Sequence, residues 1–246
     1  MSLLEIKNAT KRYGDTAALQ EVSVVFPVDS ITAVIGASGC GKSTLLKLCN
    51  GLVRPDAGEV CTFGQPLDYD NLPLLRRRLG YAVQGNGLFP HLTVRGNIVL
   101  LAELEGWSAT RIESRLEELL QFMRLSQSQL TQYPHQLSGG QQQRVGLCRA
   151  FMLQPEALLL DEPFAAIDPI TREDIHAQLL ALHRAEPTTT LLVTHDMREA
   201  MRLADNIVIM SGGRIITRES TDTLRARNPD IDPHTLLHNL LAELAA

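Results

Sequence analysis

The chain has 246 residues, of which 44% are hydrophobic and 21% are charged, and its formal net charge at pH 7 is −5. Its length and composition are those of a globular protein with one or two domains, and its acidic balance argues against electrostatic binding to nucleic acid or anionic lipid. No apolar run is long enough to span a membrane, no secretion signal is visible at the start, and the four cysteines lack the spacing of a zinc site or a disulfide framework, which favours a reducing cytosol.

The first 35 residues alternate apolar and polar side chains, which predicts short strands joined by turns. Leu4, Ile6 and Ala9 form one alternating run, and residues 22–26 form another. Tyr13 lies between the two runs. Its ring can stack on a nucleotide base or can lie at a strand edge, and this stretch alone leaves both alternatives open.

A phosphate-binding loop is predicted between an apolar strand, residues 31–35, and a helix that starts near Lys42 and ends near Gly51. Its glycines let backbone N–H groups turn inward, and with the helix dipole these groups form an anion site. Lys42 can reach the β- and γ-phosphates of a nucleotide, and the Ser43 hydroxyl can ligate Mg²⁺. The alternative is an ordinary glycine turn before a helix, and the complete pattern with both flanks argues against it. The pattern G-x-x-x-x-G-K-[ST] covers Gly36, Ala37, Ser38, Gly39, Cys40, Gly41, Lys42, Ser43 and Thr44.

Cys40 lies inside this loop, where the N–H groups, the helix N-terminus and Lys42 all favour a negative charge. We therefore expect a solvent-accessible, reactive thiolate at this position. The alternative is a side chain that points into the core. Cys49, Cys61 and Cys148 fall in apolar or helical stretches, which predicts that they are buried.

Further along the chain, residues 58–64 and 79–83 read as strands, and the second strand ends at Gln84 before a glycine turn. Residues 88–150 change to a helical character. Ser108 is a predicted N-cap for a helix that runs to about Met123, with one apolar stripe at helical spacing.

Two acidic residues follow a buried strand. Residues 157–160 form a continuous apolar run that ends at Asp161 and Glu162. Ligands bind at such strand ends, so one carboxylate can hold Mg²⁺ opposite Ser43 and the other can polarise an attacking water. A second buried strand, residues 190–194, ends at His195. A helix is predicted for 170–184, a hairpin for 206–217 and an amphipathic helix for the C-terminal tail.

The stretch Leu137–Gln141 has two glycines at a helix start beside a serine, which predicts a second anion-binding N-terminus. Because one nucleotide needs only one phosphate loop, we expect this element to serve a nucleotide held by another subunit. Two copies in a head-to-tail homodimer would then bury two ATP molecules between them.

At these residues the chain resembles the nucleotide-binding subunits of ABC transporters, and the resemblance covers nearly all of it. The phosphate loop, the signature at 137–141, the metal-binding strand at 158–163 and the histidine switch all match. Further matches are Gln84 for the Q-loop, Tyr13 for the adenine-stacking aromatic and Asp168 for the D-loop.

The resemblance implies a role for each matching residue. Lys42, Ser43 and Thr44 bind phosphate and Mg²⁺, Gln84 senses Mg²⁺ and water, and Asp161 holds the metal. Glu162 is the general base and His195 contacts the γ-phosphate. The elements that close over the partner's ATP are Ser138, Gly139, Gly140 and Gln141.

The implied fold is an α/β, ABC-type P-loop NTPase with a RecA-like core, an antiparallel β subdomain and an α-helical subdomain. In one ATPase domain of 1–246, residues 1–87 and 154–220 form the nucleotide-binding core with its β subdomain. Residues 88–153 form the helical signature subdomain and 221–246 form a helical tail. The implied protein is a Mg-dependent ATPase, a homodimer on the cytoplasmic face of the cell membrane. Its partners are integral-membrane permease subunits and a substrate-binding protein, and no nucleic acid.

Within the family, residues 87–93 and 164–172 look most like importer subunits for osmoprotectants such as glycine betaine, carnitine or choline. Residues 222–246 are too few for the paired regulatory domains of many such subunits, so gating through such domains is not expected. The residues after Gln84, Gly85 to Thr93, are expected to contact the membrane partner. The alternatives are a subunit of an exporter or lipid-transport system, a soluble ABC ATPase that acts on DNA or ribosomes, and a small-molecule kinase, against which the signature argues.

Overall fold

A computed structural model describes residues 3–83, 85, 87–165, 167–229 and 231–242 of the chain. Gln84 therefore lies outside the described residues. The strands are β1 (Leu4–Tyr13), β2 (Thr16–Phe26), β3 (Ile31–Ile35), β4 (Ala57–Thr62), β5 (Gln65–Pro66), β6 (Leu79–Ala82), β7 (Ala157–Asp161), β8 (Thr189–Thr194), β9 (Asn206–Ser211) and β10 (Arg214–Ser220). The helices are α1 (Lys42–Cys49), α2 (Leu72–Arg77), α3 (Val94–Leu104), α4 (Ala109–Met123), α5 (Gly139–Phe151), α6 (Pro169–Ala185), α7 (Met197–Leu203), α8 (Thr221–Arg227) and α9 (Pro233–Ala242).

The chain folds as two compact units, one formed by residues 1–76 with 188–246 and the other by residues 77–187. These limits differ from the division by function expected from the sequence, which stays a prediction.

The first unit contains two groups of strands. An antiparallel sheet has the order β2-β1-β4-β5, and a second group has the order β10-β9-β3-β8. In the second group β3 pairs in parallel with β8 on one side and with β9 on the other. Every residue of β3 and β8 is buried, as the continuous apolar runs predict for strands covered on both faces.

The register of these parallel strands decides which residues meet at their carboxyl ends. Ile35, the last residue of β3, is opposite Thr194 in β8 and opposite Ile209 in β9. The residues that follow β3 and β8, Gly36 and His195, therefore leave the strands at one edge, where ligands of parallel sheets bind.

The second unit contains β6 paired in parallel with β7 and the helices α3 to α6. Ser108 caps α4 as predicted, because its side chain accepts the Arg111 N–H, and the predicted apolar stripe of α4 is buried. The buried Arg115 on α4 binds both carboxylate oxygens of Glu186 and donates to the Phe151 carbonyl at 2.9 Å. This ion pair holds the middle of α4 against the ends of α5 and α6.

The predicted strands and the predicted helices starting near residues 42, 109 and 170 are confirmed. The short helix α7 has no counterpart among the predicted elements, whereas α8 lies within the predicted helical tail of residues 221–246. Among the described residues, no helix combines the length and the apolar character that crossing a membrane requires.

Candidate nucleotide-binding site

The phosphate loop, residues 36–44, connects β3 to α1, and two of its glycines are required by close backbone neighbours. A Cβ at Gly36 would lie 2.2 Å from the Met210 carbonyl oxygen and 2.6 Å from Cys40 Sγ. Gly41 has φ +106°, and a Cβ there would lie 2.4 Å from the Ala18 carbonyl oxygen. The loop is therefore fitted between β2 and the end of β9.

The turn between β9 and β10 holds the same loop by hydrogen bonds. The Gly213 N–H donates to the Cys40 carbonyl at 3.2 Å, and the Gly213 carbonyl accepts the Gln20 N–H at 2.8 Å. The loop is thus held by β2, by the end of β9 and by the turn between β9 and β10. The sequence motif alone did not indicate a role for the β9–β10 hairpin.

Lys42 is only 5% exposed, and its ammonium group lies within the turn of the loop. Nζ donates to the Gly36 carbonyl at 2.8 Å and to the Ala37 carbonyl at 2.9 Å. Ser43 and Thr44 are half-buried in the first turn of α1, while Ala37, Ser38 and Gly39 form an exposed rim. A positive charge is therefore held beside the loop that the motif assigns to phosphates.

The N-terminus of α1 has no side-chain cap, because its N-cap residue is Gly41. Helices α3 to α8 are each capped by a side-chain oxygen, in order from Thr93, Ser108, Ser138, Asp168, Asp196 and Ser220. The first N–H groups of a helix lack partners within the helix and carry its positive dipole end. The donors at α1, together with Lys42, fit the phosphate groups of a nucleotide.

Cys40 does not have the expected exposure. Its side chain is 6% exposed and its Sγ lies 3.9 Å from Lys42 Nζ, so the prediction of a solvent-accessible side chain is wrong. The sequence could not decide the direction of the side chain. Cys49, Cys61 and Cys148 are buried as predicted, and burial raises the pKa of both Cys49 and Cys148 to about 12.

His195 is exposed directly after β8, which excludes a satisfied core histidine at this position. The turn that carries it is short and bonded at both sides. The Asp196 N–H donates to Thr194 Oγ1 at 3.0 Å, and Asp196 Oδ1 accepts the Arg198 N–H at 2.8 Å. Because Ile35 is opposite Thr194, His195 and the phosphate loop leave the sheet side by side. Thr194 is a supporting residue that the motif did not reveal.

Tyr13 ends β1 at the tip of the β1–β2 hairpin and is 50% exposed. The Lys11 ammonium lies 5.7 Å from the centroid of its ring. An exposed ring is available for stacking, and its role in binding a base stays a prediction.

In the second unit, Asp161 is the last residue of β7 and is 8% exposed. Glu162 follows it with φ +45° and is half-buried. A left-handed backbone costs a residue other than glycine about 1–2 kcal/mol, and such strain is concentrated at functional sites. Tyr81, on the neighbouring strand, has its pKa raised by burial and next by the negative charge of Asp161.

The signature residues form a self-capped helix start. Ser138 Oγ accepts the Gln141 N–H at 3.3 Å, and Gln141 Oε1 accepts the Ser138 N–H at 2.9 Å. Ser138 and Gly139 are exposed, and the Ser138 hydroxyl can still donate its hydrogen. Gly140 is buried, and a Cβ there would lie 2.4 Å from Thr171 Cγ2, so this glycine also serves the packing of α5 on α6.

Asp168 caps α6 by accepting the Thr171 N–H at 3.0 Å, and this hydrogen bond lowers the pKa of the Asp168 carboxyl. Ile170, two residues later, is 84% exposed. The segment that the resemblance identifies as the D-loop therefore presents an apolar side chain at a helix start.

Asn97 organises the loop of residues 87–93 and was not indicated by any motif. It is fully buried; its Oδ1 accepts the Phe89 N–H at 2.7 Å, and its Nδ2 donates to the carbonyls of Phe89, Leu92 and Thr93. A polar residue on the apolar face of α3 was the available signal. Phe89 and His91 remain exposed, whereas Leu88 is half-buried.

The family model described as ABC transporter matches residues 19–165 of this chain. The glycine betaine uptake system ATP-binding protein YehX of Escherichia coli (strain K12) is 42% identical over 227 residues, which are 92% of this chain and 73% of that protein. The choline transport ATP-binding protein OpuBA of Bacillus subtilis (strain 168) is 40% identical over 228 residues, 92% of this chain and 60% of that protein.

The sulfate/thiosulfate import ATP-binding protein CysA of Mycobacterium tuberculosis (strain ATCC 25618 / H37Rv) is 45% identical over 210 residues, 85% of this chain and 59% of that protein. The chain thus spans between 59% and 73% of the length of these three relatives.

Solved structures agree with the sequence relatives. An ATP-binding subunit of an ABC transporter has a TM-score of 0.84 at 30% identity, covering 98% of this chain and 100% of that chain. The dimeric bacterial ABC transporter cassette MJ0796 has a TM-score of 0.81 at 33% identity, covering 89% and 98%. These findings confirm the predicted fold class and the predicted family: the chain belongs to the ABC transporter family and is one of its ATP-binding cassettes.

Proposed function

We propose that this chain binds Mg-ATP and hydrolyses it to drive the uptake of a quaternary-amine osmoprotectant through separate membrane subunits. The loop of residues 36–44 carries the nucleotide part of the proposal, since a buried lysine and a helix N-terminus without a side-chain cap meet there. The substrate class rests on the E. coli and B. subtilis relatives, whose names give glycine betaine and choline transport.

In the proposed reaction, Lys42 and the N–H groups of α1 bind the β- and γ-phosphates, and Tyr13 stacks on the adenine. Ser43 and Asp161 would hold Mg²⁺, which when bound neutralises charge on the phosphate oxygens. Glu162 accepts a proton from the attacking water, and His195 contacts the γ-phosphate. Gln84 is assigned to sensing the metal and the water.

The ATP-bound form in this proposal is a head-to-tail homodimer with two nucleotides. The exposed Ser138 and Gly139 of one subunit complete the site that contains Lys42 of the other. Two observations support this arrangement. The signature serine is at the surface with a hydroxyl hydrogen to donate, and the MJ0796 cassette, at 33% identity, has a dimeric structure.

The membrane partner is proposed to dock on the loop of residues 87–93. Phe89 is 42% exposed on a loop whose backbone is fixed by Asn97, and Arg149 donates to the Gly87 carbonyl at 2.8 Å. An exposed aromatic on a rigid loop suits a permanent interface. The chain would then lie on the cytoplasmic face of the membrane, bound to permease subunits. A substrate-binding protein would deliver the transported substrate to these subunits.

Transport in cells tests the proposal. Cells with wild-type chain are compared with cells with Glu162→Gln for uptake of labelled glycine betaine, choline, carnitine and sulfate, and the chain is purified from detergent-solubilised membranes. We expect loss of quaternary-amine uptake and recovery of an integral-membrane partner. Loss of sulfate uptake alone would instead favour the substrate class in the name of the M. tuberculosis relative. Recovery of a ribosome or DNA partner would overturn the proposed role in transport.

Cysteines at His91 and, as a matched distant site, at Leu74 test the docking surface. Both positions are exposed, and Leu74 lies on α2. Cross-linking of the membrane subunit at residue 91 and not at residue 74 is expected. The reverse pattern would reject this surface.

A further inference from the structure

Helix α7 begins two residues after His195 and has only seven residues. An isolated helix of this length does not hold its structure in water, so its position depends on what packs against it. Within the first unit the helix packs against β3, β8 and α9. Its buried residues are Met197, Glu199, Ala200 and Leu203. Its remaining supports come from the two C-terminal helices.

Helix α8 fixes the carboxyl end of α7. The Arg225 guanidinium donates to the Met201 carbonyl, and Thr221 Oγ1 donates to the Ala204 carbonyl at 2.5 Å. These bonds satisfy carbonyl groups that have no partner within the last turn of a helix.

The Asp232 carboxylate, at the start of α9, binds groups in both α7 and α9 and so fixes the amino end of α7. Asp232 Oδ1 accepts from Arg198 Nη2 at 2.9 Å, while Asp232 Oδ2 accepts the Thr235 N–H at 3.1 Å at the start of α9. Leu236, which follows Thr235 in α9, is 3% exposed. The same side chain therefore starts α9 and ties it to the helix that follows His195.

We propose that Arg198 and Asp232 are positioning residues that hold α7, and through α7 the His195 side chain, at the edge of the phosphate loop. The inference rests on the proposed role of His195 in ATP hydrolysis. It makes the C-terminal helix a determinant of the hydrolysis rate.

The turn between β8 and α7 transmits the position of the helix. Thr194 Oγ1 accepts the Asp196 N–H, and the Asp196 carboxylate accepts the Arg198 N–H, so the turn is bonded to the strand and to the helix. A turn of two residues with both ends bonded has little freedom. A displacement of α7 must therefore move His195, whereas β8 is buried and fixed.

The test measures steady-state ATPase of the full chain with Arg198→Ala and with Asp232→Ala. An exposed ion pair of this kind supplies at most a modest free energy, so kcat should fall about two- to fivefold with KM for ATP unchanged. The matched control is Arg227→Ala, which breaks the ion pair between Arg227 of α8 and Glu219 of β10 at 2.8 Å. Among the described residues, this pair has no bond to α7. The control should keep the wild-type rate.

The same substitutions in a His195→Ala background separate positioning from general destabilisation. If Arg198 acts through His195, Arg198→Ala costs nothing further there. Equal losses in both backgrounds, or no loss in either, would overturn the inference. If His195→Ala itself leaves hydrolysis unchanged, the proposed role of His195 fails and this inference fails with it; a loss with His195→Ala but not with Arg198→Ala rejects the inference alone.

Two further readouts do not depend on activity alone. Amide hydrogen exchange of Ala200 to Leu203 should be faster in Arg198→Ala than in Arg227→Ala, which locates the change in α7. Asp232→Asn retains an oxygen for the Thr235 N–H but not the charge, so a rate like that of Asp232→Ala assigns the effect to the ion pair. A wild-type rate and wild-type exchange would reject it.

Discussion

Glu162 has a left-handed backbone immediately after a fully buried strand, so its carboxylate is placed by the fold and not by a flexible loop. We expect Glu162→Gln to retain ATP binding and to lower hydrolysis at least about a hundredfold, because an amide cannot accept the proton of the attacking water. Steady-state ATPase and nucleotide binding measure the two effects. Glutamate and glutamine have the same backbone strain at this position, so the free energy of unfolding should not change. Hydrolysis within a few-fold of wild type would remove Glu162 from the role of general base.

The buried thiols of Cys49 and Cys148 make the free energy of unfolding depend on pH. Burial raises the pKa of each to about 12 from an ordinary value of 9.0, so between these values the folded state binds more protons than the unfolded state. The contribution to stability is complete below pH 9 and is lost as the pH rises towards 12. We expect each thiol to lower the unfolding free energy by about 1.4 kcal/mol per pH unit in this window.

Urea unfolding between pH 8 and pH 11 measures this slope. Other groups also ionise in alkali, so the informative comparison is with the double variant Cys49→Ala, Cys148→Ala. The variant is expected to be less stable at pH 8 because its packing is poorer, and to lose less stability as the pH rises. Parallel pH curves for the two proteins would contradict the assignment.

At the scale of elements, two glycines in the first turns of helices have opposite environments. A Cβ at Gly140 of α5 would lie 2.4 Å from Thr171 Cγ2 on α6, whereas at Gly96 of α3 the nearest atom would be 3.4 Å away. Gly140→Ala should therefore destabilise the protein by about 1–3 kcal/mol, and Gly96→Ala should stabilise it by about 0.5–1 kcal/mol through helix propensity. Equilibrium unfolding of the two variants tests the contrast, and a stable Gly140→Ala protein would reject it.

The loop of residues 87–93 depends on a single amide. Asn97 is fully buried and hydrogen-bonds four backbone groups of the loop. Asn97→Ala would remove the side-chain partner of the Phe89 N–H and of the Leu92 carbonyl, whereas the Phe89 and Thr93 carbonyls keep backbone N–H donors. A loss of about 2–4 kcal/mol is expected, together with faster hydrogen exchange in the loop. Gln121, exposed on α4 of the same unit, is a suitable control position for alanine. Wild-type exchange in the Asn97 variant would show that the loop holds its structure by other means.

At the scale of the whole molecule, ligand binding should be visible as stability. Mg-ATP at about 100 times its Kd should stabilise wild type by about 2.7 kcal/mol, which raises Tm. Lys42→Ala should lose this shift because the buried ammonium group is removed, whereas Lys47→Ala, half-buried at the other end of α1, should keep it. Equal shifts in both variants would show that Lys42 does not bind the nucleotide. Sizing of Glu162→Gln with and without Mg-ATP extends the test to the dimer, which should form only with nucleotide.

The parts of the fold that the sequence predicts are those with strict local chemistry. The phosphate loop needs glycines and a lysine at fixed spacing, and β3 and β8 need continuous apolar runs, so both could be recognised. Helix α7 could not, because seven residues carry too little periodicity and tertiary bonds determine its structure.

The direction of the Cys40 side chain and the four hydrogen bonds of Asn97 depend on the path of the surrounding backbone. The partners of Asn97 lie only four to eight residues away, in a loop whose conformation a motif does not specify. No spacing rule encodes either of them. Gly140 illustrates a third limit, because a residue matched to a functional motif also has a packing role that the motif conceals.

The neighbours of Gly36 and Gly140 also determine whether a harmful change at each position can be suppressed. The atom nearest to a Cβ at Gly140 is a side-chain methyl group, and the next is Thr171 Cβ at 3.7 Å. Thr171→Ser removes the methyl and keeps the hydroxyl, so it should restore the stability of Gly140→Ala. At Gly36 the nearest atom is the main-chain oxygen of Met210, which every amino acid has. A selection for revertants should therefore find second-site suppressors for the signature glycine, while the loop glycine recovers only by true reversion.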